Sequence, residues 1–272
     1  MELYKRVSYE LAERLTRRYS TSFSLSSRLF SARIRPHIYA VYGMVRLADE
    51  IVDSYRGDDA AQQLDDFEAA VYQARQQGYS TNPILHAFAL TAQRYDITKA
   101  LIEPFFASMR MDMTATTYDE AAYRRYIYGS AEVVGLMCLK VFVEGDATQY
   151  ERLRTGAAHL GAAYQKVNFL RDMKADCEAL GRVYFPGVDY QSFTESDKRA
   201  IEADIAADIA AAQRAIPHLP PAARRAVRTS LLYYNALFQR LQHASVADIK
   251  TRRIRVTNGV KLVLFVRGAV GV

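Results

Sequence analysis

Residues 161–186 read GAAYQKVNFLRDMKADCEALGRVYFP, and this stretch decides how the whole chain is interpreted. Its first part lacks proline and is rich in strong helix formers, so it predicts the second half of a long helix over residues 147–177. Gly181, Pro186 and Gly187 then interrupt the pattern and predict a loop. One face of the predicted helix carries four polar residues at spacings of three, four and four: Gln165, Asn168, Asp172 and Asp176.

The neighbours of these four polar residues are large and apolar. Phe169 and Met173 flank the polar stripe, and Arg171 is adjacent to it. Polar groups in register beside large apolar ones predict a helix face that lines a cavity, polar at one level and apolar at another. Such a cavity fits a substrate that is part anion and part hydrocarbon.

An earlier segment, YAVYGMVRLADEIVD over residues 39–53, repeats this arrangement. Asp49 and Asp53 are four residues apart and therefore point the same way on a helix, and Tyr42 and Arg46 precede them on the same stripe. The stripe is rotated by about 100° from the apolar stripe of the helix, so it lies beside the core-facing side rather than opposite to it.

Paired aspartates on two helices suit the chemistry of a diphosphate leaving group. Mg²⁺ neutralises such a group while it keeps octahedral oxygen coordination, through one or two carboxylates together with phosphate oxygens and water. Arg46 and Arg171 could complete the clamp through forked contacts to phosphate oxygens. A lone D-x-x-x-D motif is usually a solvated helix face, but here two occur, each preceded by arginine and each beside a strong apolar side.

Helical periodicity runs through ten segments of the chain and no strand is needed, so the sequence predicts an all-α protein. No shift to proline, glycine or serine marks a linker, which favours one domain over residues 1–272. The predicted helices lie near residues 2–18, 36–55, 60–77, 83–94, 98–112, 119–143, 147–177, 195–215, 221–244 and 256–267.

Composition narrows the class of protein further. The formal net charge is +6, but the cluster Arg224, Arg225 and Arg228 is too short for a nucleic-acid-binding face, so no nucleic-acid partner is expected. Cys138 and Cys177 lack metal-ligand spacing, and the N-terminal residues lack the apolar region of a secretory signal. We therefore expect a cytoplasmic protein, whose tail or helix rim could contact the inner face of a membrane. The oligomeric state is left open.

Four strings of the sequence, in their order and spacing, resemble the squalene/phytoene synthase family, and the context of the last is most similar to bacterial phytoene synthases. They are STSFSLSSRLF (20–30), YAVYGMVRLADEIVD (39–53), YIYGSAEVVGLM (126–137) and GAAYQKVNFLRDMKADCEALGRVYFP (161–186). The resemblance implies an isoprenoid-synthase helical bundle with a central cavity. It also implies dependence on two or three Mg²⁺ ions and head-to-head condensation of two identical prenyl diphosphates through a cyclopropyl diphosphate.

The resemblance also assigns residues by position. It implies that the metal ligands are Asp49, Asp53, Asn168, Asp172 and Asp176. It implies that Arg171 acts with these aspartates in catalysis and that Tyr128 lies near the cationic intermediate. The implied substrate-binding residues are Ser22, Phe23, Tyr42, Arg46, Gln165, Asn168, Arg182, Tyr184, Tyr234 and Arg253.

Three positions depart from the family pattern. Tyr19 stands where many members have a histidine, Glu132 replaces a usual small residue, and Lys166 replaces an apolar one. The first departure affects an expected contact to the diphosphate. Glu132 could be either a neighbour of the carbocation or the partner of a cation elsewhere, and we favour the structural role.

The product expected from the resemblance is phytoene, formed from two geranylgeranyl diphosphates through prephytoene diphosphate in carotenoid biosynthesis, without NADPH. C30 products from farnesyl diphosphate, such as squalene, dehydrosqualene or presqualene diphosphate, remain open. A head-to-tail prenyltransferase or terpene cyclase is a rival with the same fold, but those usually carry other metal motifs. A non-catalytic helical scaffold is a rival of another class, and loss of motif carboxylates would have favoured it.

Overall fold

The structure, a computed structural model, describes residues 1–270 apart from the side chain at position 180. It confirms the all-α prediction: the described residues form thirteen α-helices, one π-helical turn and one 3₁₀ turn, and no named strand. The predicted domain extends to residue 272, so its last two residues lie outside the described part. The helices are α1 Glu2–Tyr19, α2 Thr21–Ser27, α3 Arg35–Asp53, α4 Ala60–Gln77, α5 Pro83–Arg94, α6 Lys99–Thr114, α7 Glu120–Ile127, α8 Val133–Phe142, α9 Ala147–Leu180, α10 Glu195–Ala215, α11 Pro221–His243, α12 Val246–Thr251 and α13 Asn258–Val270.

A continuous set of buried apolar side chains runs through the bundle from Phe30 to Ile249. Phe88, Phe105 and Met137 are among its largest members and are fully buried. Helix α9 packs against α8, α10, α11 and α12, whereas α3 packs against α1, α4, α5 and α6. The two helices that carry the predicted aspartate stripes are therefore each held on several sides.

Two short helices are absent from the sequence-based prediction. Helix α2 lies within the string STSFSLSSRLF (20–30) and begins after Ser20, whose hydroxyl accepts a hydrogen bond from the N–H of Phe23. Helix α12 begins at a capping box in which Ser245 and Asp248 satisfy each other's backbone N–H groups. Both helices have fewer than two full turns of periodic pattern, so hydrophobic periodicity cannot detect them.

The segment predicted as one helix over 119–143 is instead interrupted. A π-helical turn, Tyr128–Glu132, separates α7 from α8. It lies where Gly129 approaches α6 so closely that an added Cβ would be 2.2 Å from the carbonyl oxygen of Pro104. π-Helical turns within helices are often found at functional sites.

Helix α9 ends where the sequence predicts a change of direction. Gly181 has a φ of +64°, a left-handed conformation that glycine adopts without steric cost, and the N–H of Arg182 returns to the carbonyl of Asp176 at 3.1 Å. The chain then runs extended, and Val183 donates its N–H to the carbonyl of Thr116 at 2.9 Å. Alternate residues of this segment, 182 and 184, therefore point to the same side.

No helix among residues 1–270 combines the length and the apolar character needed to cross a bilayer.

Candidate active site

The first aspartate stripe lies on α3, and its positively charged residue is Arg46. The Arg46 guanidinium pairs with Glu50 and lies 3.7 Å from Asp49 Oδ2. It also lies over the ring of Tyr19, 4.4 Å from the centroid. Tyr19, which departs from the family pattern, thus contacts the cation of this stripe through its aromatic face.

The surroundings of Asp49 disfavour the charged form of its carboxyl group. Burial raises the pKa of Asp49 to about 7, because the charged form loses hydration. Arg46 opposes the rise, whereas the carboxylates of Asp53 and Asp112 add to it. A cation beside Asp49 would therefore relieve an unfavourable charge.

The second stripe lies on α9, where two arginines hold Asp172. Arg253, which follows α12, places Nε 2.7 Å from Asp172 Oδ1 and Nη2 3.1 Å from Oδ2. Arg171 donates from Nε to Oδ1 at 2.9 Å and from Nη2 to Oδ2. Both carboxylate oxygens of Asp172 therefore have guanidinium partners.

The two stripes share one electrostatic environment. Burial raises the pKa of Asp176 to about 7, and the carboxylates of Asp172, Asp53 and Asp112 add to this rise while Arg182 opposes it. The carboxylate of Asp53 acts on both Asp49 of its own helix and Asp176 of α9. The fold thus brings together the aspartates that the sequence pairs by pattern.

Aromatic residues surround the polar stripes. The Tyr234 hydroxyl donates to Asn168 Oδ1 at 3.5 Å, and its ring stacks on Tyr164 with centroids 3.7 Å apart. Tyr42 stacks on Phe23 of α2 with centroids 5.2 Å apart. The predicted binding residues Phe23, Tyr42 and Tyr234 therefore contribute ring faces, which attract cations.

The centre of a further cluster is a residue that the sequence analysis missed. Asp112 of α6 accepts hydrogen bonds from Tyr126 at 2.6 Å, from Tyr184 at 3.2 Å and from Tyr118 at 3.3 Å. Arg182 places Nη1 3.6 Å from its carboxylate and donates from Nη2 to its backbone carbonyl. Burial raises the pKa of Asp112 to about 6, although the hydrogen bond from Tyr126 opposes this.

The tyrosines of this cluster act as donors. Burial is the largest reason why the pKa values of Tyr118, Tyr126 and Tyr184 lie above their usual value. Their hydroxyls therefore keep their protons. The Tyr184 ring also stacks on Phe169 at 3.8 Å, nearly parallel. A signal for Asp112 exists in the sequence, because it continues the buried face of α6 that contains Phe105 and Met109.

Arg182 links this cluster to the first stripe. Its Nη1 lies 3.7 Å from Asp53 Oδ1 and 3.4 Å from the Tyr184 hydroxyl, and its side chain is 9% exposed. The predicted binding residues Arg182 and Tyr184 therefore lie together beside the aspartates.

Three of the residues predicted for the site make no side-chain hydrogen bond to the part of the chain that the structure describes. Tyr128, in the π-helical turn, is 41% exposed, and the described residues offer it no hydrogen bond or ring contact. Ser22 and Gln165 are partly buried, also without a side-chain hydrogen bond to the described chain. Their roles stay predictions. Tyr126, two residues before Tyr128, is the tyrosine of this motif that joins the cluster.

Lys166 has ion-pair partners on α10, and the same charges act on Glu132. The Lys166 ammonium lies 2.6 Å from Asp204 and 2.7 Å from Asp208 of α10. Burial raises the pKa of Glu132, Asp208 adds to the rise, and His159 and Lys166 oppose it. Lys166 therefore joins α9 to α10, and Glu132 senses these charges without a direct ion pair, so its role stays a prediction.

The donor set fits Mg²⁺ only when other ligands complete it. No three histidine, cysteine, aspartate or glutamate side chains of residues 1–270 form a metal site by themselves. Carboxylate oxygens are nevertheless the hard ligands that Mg²⁺ prefers, and a cation would favour the charged forms of Asp49 and Asp176, whose pKa values burial raises. Phosphate oxygens and water would supply the remaining positions. The magnesium requirement stays a prediction.

Two cavities border the site. A cleft of about 290 Å³ is lined by Arg240, His243, Ala244, Asp248, Arg252, Arg253, Ile254 and Arg255. A void of about 10 Å³ lies among Phe169, Met173, Asp176, Arg182, Val183, Tyr184 and Phe185. Neither is the long apolar channel that a prenyl chain requires, so that channel stays a prediction.

The fold and the paired stripes place this chain in a known class. The architecture is that of the helical isoprenoid synthases, as comparison with solved structures shows. Residues 16–259 match the sequence pattern of the family described as squalene/phytoene synthase. The chain belongs to the squalene/phytoene synthase family.

Relatives named phytoene synthase and presqualene diphosphate synthase match the sequence. It is 30% identical over 204 residues to phytoene synthase from Arthrospira platensis, which covers 70% of this chain and 65% of that one. It is 33% identical over 180 residues to 15-cis-phytoene synthase from Enterobacter agglomerans, and this match covers 61% of this chain and 58% of that one. Presqualene diphosphate synthase from Rhodopseudomonas palustris is 27% identical over 242 residues, covering 81% and 83%. The match thus spans less than two thirds of the two phytoene synthases.

Two crystal structures show the same fold. A dehydrosqualene synthase in complex with ligand superposes with a TM-score of 0.84 at 20% identity, covering 98% of this chain and 97% of the other. Squalene synthase HpnC from Alicyclobacillus acidocaldarius gives a TM-score of 0.76 at 26% identity, covering 89% and 95%. The first, because of its low identity, is similar in fold alone.

Proposed function

We propose that this protein is a magnesium-dependent prenyltransferase that joins two geranylgeranyl diphosphates head to head to give phytoene through prephytoene diphosphate. The observation that carries the proposal is the shared environment of the two aspartate stripes, in which Asp53 acts on Asp49 and on Asp176. A lone surface motif would lack such a partner stripe. Family membership and the phytoene synthases among the relatives support the same reaction.

The proposed metal ligands are Asp49, Asp53, Asn168, Asp172 and Asp176. Magnesium bound there would neutralise the charge of the leaving diphosphate. The guanidinium groups of Arg171, Arg182 and Arg253 already lie beside these carboxylates and would bind phosphate oxygens. Arg46 would do the same at α3.

Departure of diphosphate leaves an allylic carbocation, for which the aromatic side chains provide the surroundings. Tyr42 stacks on Phe23, and Tyr164 stacks on Tyr234, whose hydroxyl donates to Asn168. The quadrupole of a ring face stabilises positive charge. We retain Tyr128 as a proposed neighbour of the cation on the resemblance alone.

The proposed product requires no reductant. In the first step one diphosphate leaves and its carbon bonds to the double bond of the other chain; loss of one proton from that carbon then supplies the electron pair for a second carbon–carbon bond, which closes the cyclopropane. In the second step the skeleton rearranges, the second diphosphate leaves and another proton is lost. The atoms balance without hydride, so NADPH is not expected, whereas squalene would need one hydride.

The alternative substrate is farnesyl diphosphate. The presqualene diphosphate synthase match, which covers 81% of this chain, favours this C30 alternative, because it extends over more of the chain than the phytoene synthase matches. Chain length would be selected by the depth of an apolar channel, since each buried methylene contributes about 0.8 kcal/mol. The proposed floor residues Val133, Leu136, Met137 and Phe169 are all buried.

One experiment tests the activity and the chain length together. Purified protein is given geranylgeranyl or farnesyl diphosphate separately with Mg²⁺, with and without NADPH, and the extracted hydrocarbons are identified by mass. We expect phytoene from the C20 substrate without NADPH. If only the C15 substrate gives products, the assignment changes from phytoene to a C30 product. If a folded sample gives no product from either substrate, the non-catalytic scaffold is favoured.

We further propose that the protein acts in the cytoplasm as a peripheral protein at the inner face of the membrane. Helix α13 exposes four large apolar residues, and basic residues Lys261 and Arg267 flank them. The exposed residues are Leu262, Val263, Val266 and Val270. An apolar face with basic flanks fits an anionic lipid surface. Flotation with vesicles should show binding that requires anionic lipid and that the V263E/V266E variant loses; equal flotation of this variant would contradict the proposal.

A further inference from the structure

The carboxylate of Asp112 has four partner residues, which come from three separate parts of the chain. Tyr126 belongs to α7, Tyr118 to the segment before it, and Arg182 and Tyr184 to the segment after α9. Asp112 itself ends the buried face of α6 and is 6% exposed. A buried carboxylate with this many donors defines one arrangement of the groups around it.

Among these partners only Arg182 is charged, and it points in two directions. Nη1 lies 3.6 Å from Asp112 and 3.7 Å from Asp53. Nη2 donates to the backbone carbonyl of residue 112. Nη2 thus anchors Arg182 on α6, while Nη1 lies between the carboxylates of Asp112 and Asp53.

The anchor has a consequence for the charge at the stripes. Without Asp112, the nearest carboxylate for Arg182 would be Asp53, and a close Arg182–Asp53 pair would compete with a divalent cation for the same oxygens. With Asp112 in place, the guanidinium is shared, and Asp53 keeps 47% of its side chain exposed. Tyr184, fixed by the same carboxylate, limits the movement of Arg182 from the opposite side.

We propose that Asp112 is a positioning residue for the diphosphate site: it holds Arg182 between the two aspartate stripes so that the guanidinium binds phosphate while Asp53 stays available. Asp112 acts through Arg182 and does not itself touch the substrate. This inference rests on the proposed function for its substrate, but the anchor itself is testable without turnover.

The test is a double-mutant cycle on the full chain. D112N keeps the shape of the side chain and removes its charge, and R182Q removes the guanidinium. Calorimetry measures the binding of inorganic diphosphate in the presence of Mg²⁺ for the wild type, each single variant and the D112N/R182Q double variant. We expect each single variant to weaken binding at least tenfold and the double variant to be no weaker than R182Q, because both changes remove one interaction.

D65N is the matched control. It makes the same chemical change in a carboxylate that also pairs with an arginine of α6, Arg110, but on the surface away from the stripes. It should bind magnesium diphosphate like the wild type. If D112N binds like the wild type, or if the losses of D112N and R182Q multiply in the double variant, Asp112 does not act through Arg182 and the proposal is wrong.

A second variant covers failure of D112N to fold, which thermal melting would reveal. R182K keeps the charge, but one ammonium group cannot reach both the carboxylate and the carbonyl of residue 112 together with Asp53. Folded R182K with at least tenfold weaker binding supports the proposal, and unchanged binding overturns it. Wild-type protein that binds magnesium diphosphate yet forms no hydrocarbon product would refute the proposed function without refuting the anchor.

Discussion

Arg253 forms a two-pronged ion pair with Asp172, with Nε 2.7 Å from Oδ1 and Nη2 3.1 Å from Oδ2. Asp172 is also a proposed metal ligand, so the arginine holds the oxygens that a cation would take. Mg²⁺ bound at Asp172 would therefore compete with Arg253, and the arginine would then be free to bind phosphate. This exchange links the second stripe to the segment that follows α12.

The R253Q variant should show both effects of this exchange. Without the competing Arg253 guanidinium, the protein should bind Mg²⁺ alone more tightly. Without the phosphate contact of Arg253, the KM for the prenyl diphosphate should rise at least tenfold. Metal titration calorimetry and steady-state kinetics measure the two quantities. R252Q serves as the control, because Arg252 pairs with Asp248 within its own helix turn. An unchanged KM would remove Arg253 from the site.

Metal removal should abolish the first chemical step. The carboxylates of Asp49 and Asp176 cannot by themselves stabilise a leaving anion, so EDTA should stop release of diphosphate and excess Mg²⁺ should restore it. Release is measured by a phosphate assay after pyrophosphatase treatment. Calcium at the same concentration is the control for charge alone, since its larger and more flexible coordination should support less turnover. Full turnover in chelator would refute the proposed mechanism.

The aspartates should matter for activity and not for stability. D53A and D176A should each lower kcat/KM by about two orders of magnitude or more. Because burial and neighbouring carboxylates disfavour the charge of Asp176, removing it should leave the melting temperature of the metal-free protein unchanged or higher. D58A, in an exposed loop, is the control. A D176A protein that melts much lower with unimpaired turnover would make this stripe structural.

The sequence predicts the long helices well because their signals are local. Proline at the first turn of α5 and the capping residue Asn82 mark its start, and Gly78 with a φ of +65° marks the end of α4. The aspartate stripes are also local patterns, since Asp49 and Asp53 follow from helical spacing alone.

The parts that the sequence does not predict depend on distant partners. Asp112 is a single acidic residue on an apolar face, and Tyr184, which donates to it, lies 72 residues away. The interruption at Tyr128–Glu132 accompanies the close approach of Gly129 to α6 and not a helix-breaking residue. Lys166, which departs from the family pattern, pairs with Asp204 and Asp208 of α10. None of these contacts is encoded by spacing within one helix.

The close packing at Gly129 leads to a prediction about stability. A Cβ there would lie 2.2 Å from the carbonyl oxygen of Pro104 and 2.8 Å from the Cβ of Ser108, so G129A should lower the free energy of unfolding by about 1–3 kcal/mol or more. Urea denaturation measures this change. Gly259 has open space around its Cβ position, so G259A is the matched control and should be neutral. Equal stability of the two variants would contradict the packing of the π-helical turn.

His37 should make the stability of the protein depend on pH. His37 is 7% exposed, and its Nδ1 lies 2.8 Å from Thr91 Oγ1. The rings of Tyr9 and Tyr95 pack nearly perpendicular to the imidazole ring. Burial lowers the pKa of His37 to about 4, and the positive charges of Arg94 and Lys5 act in the same direction. The folded state therefore keeps this histidine neutral at pH values where an unfolded chain would protonate it.

The sign of the effect follows from proton binding. Between about pH 6.5 and pH 4 the unfolded state binds more protons at His37 than the folded state does, so His37 lowers stability as the pH falls through this window, by at most roughly 1.4 kcal/mol per pH unit. The H37Q variant cannot titrate there. Urea denaturation at pH 8, 6.5, 5 and 4 should therefore show the stability of the wild type relative to H37Q falling with pH below 6.5 and constant above it. Carboxylates titrate equally in both proteins and cancel in the comparison, and a difference that stays constant from pH 8 to pH 4 would show that His37 is not held neutral.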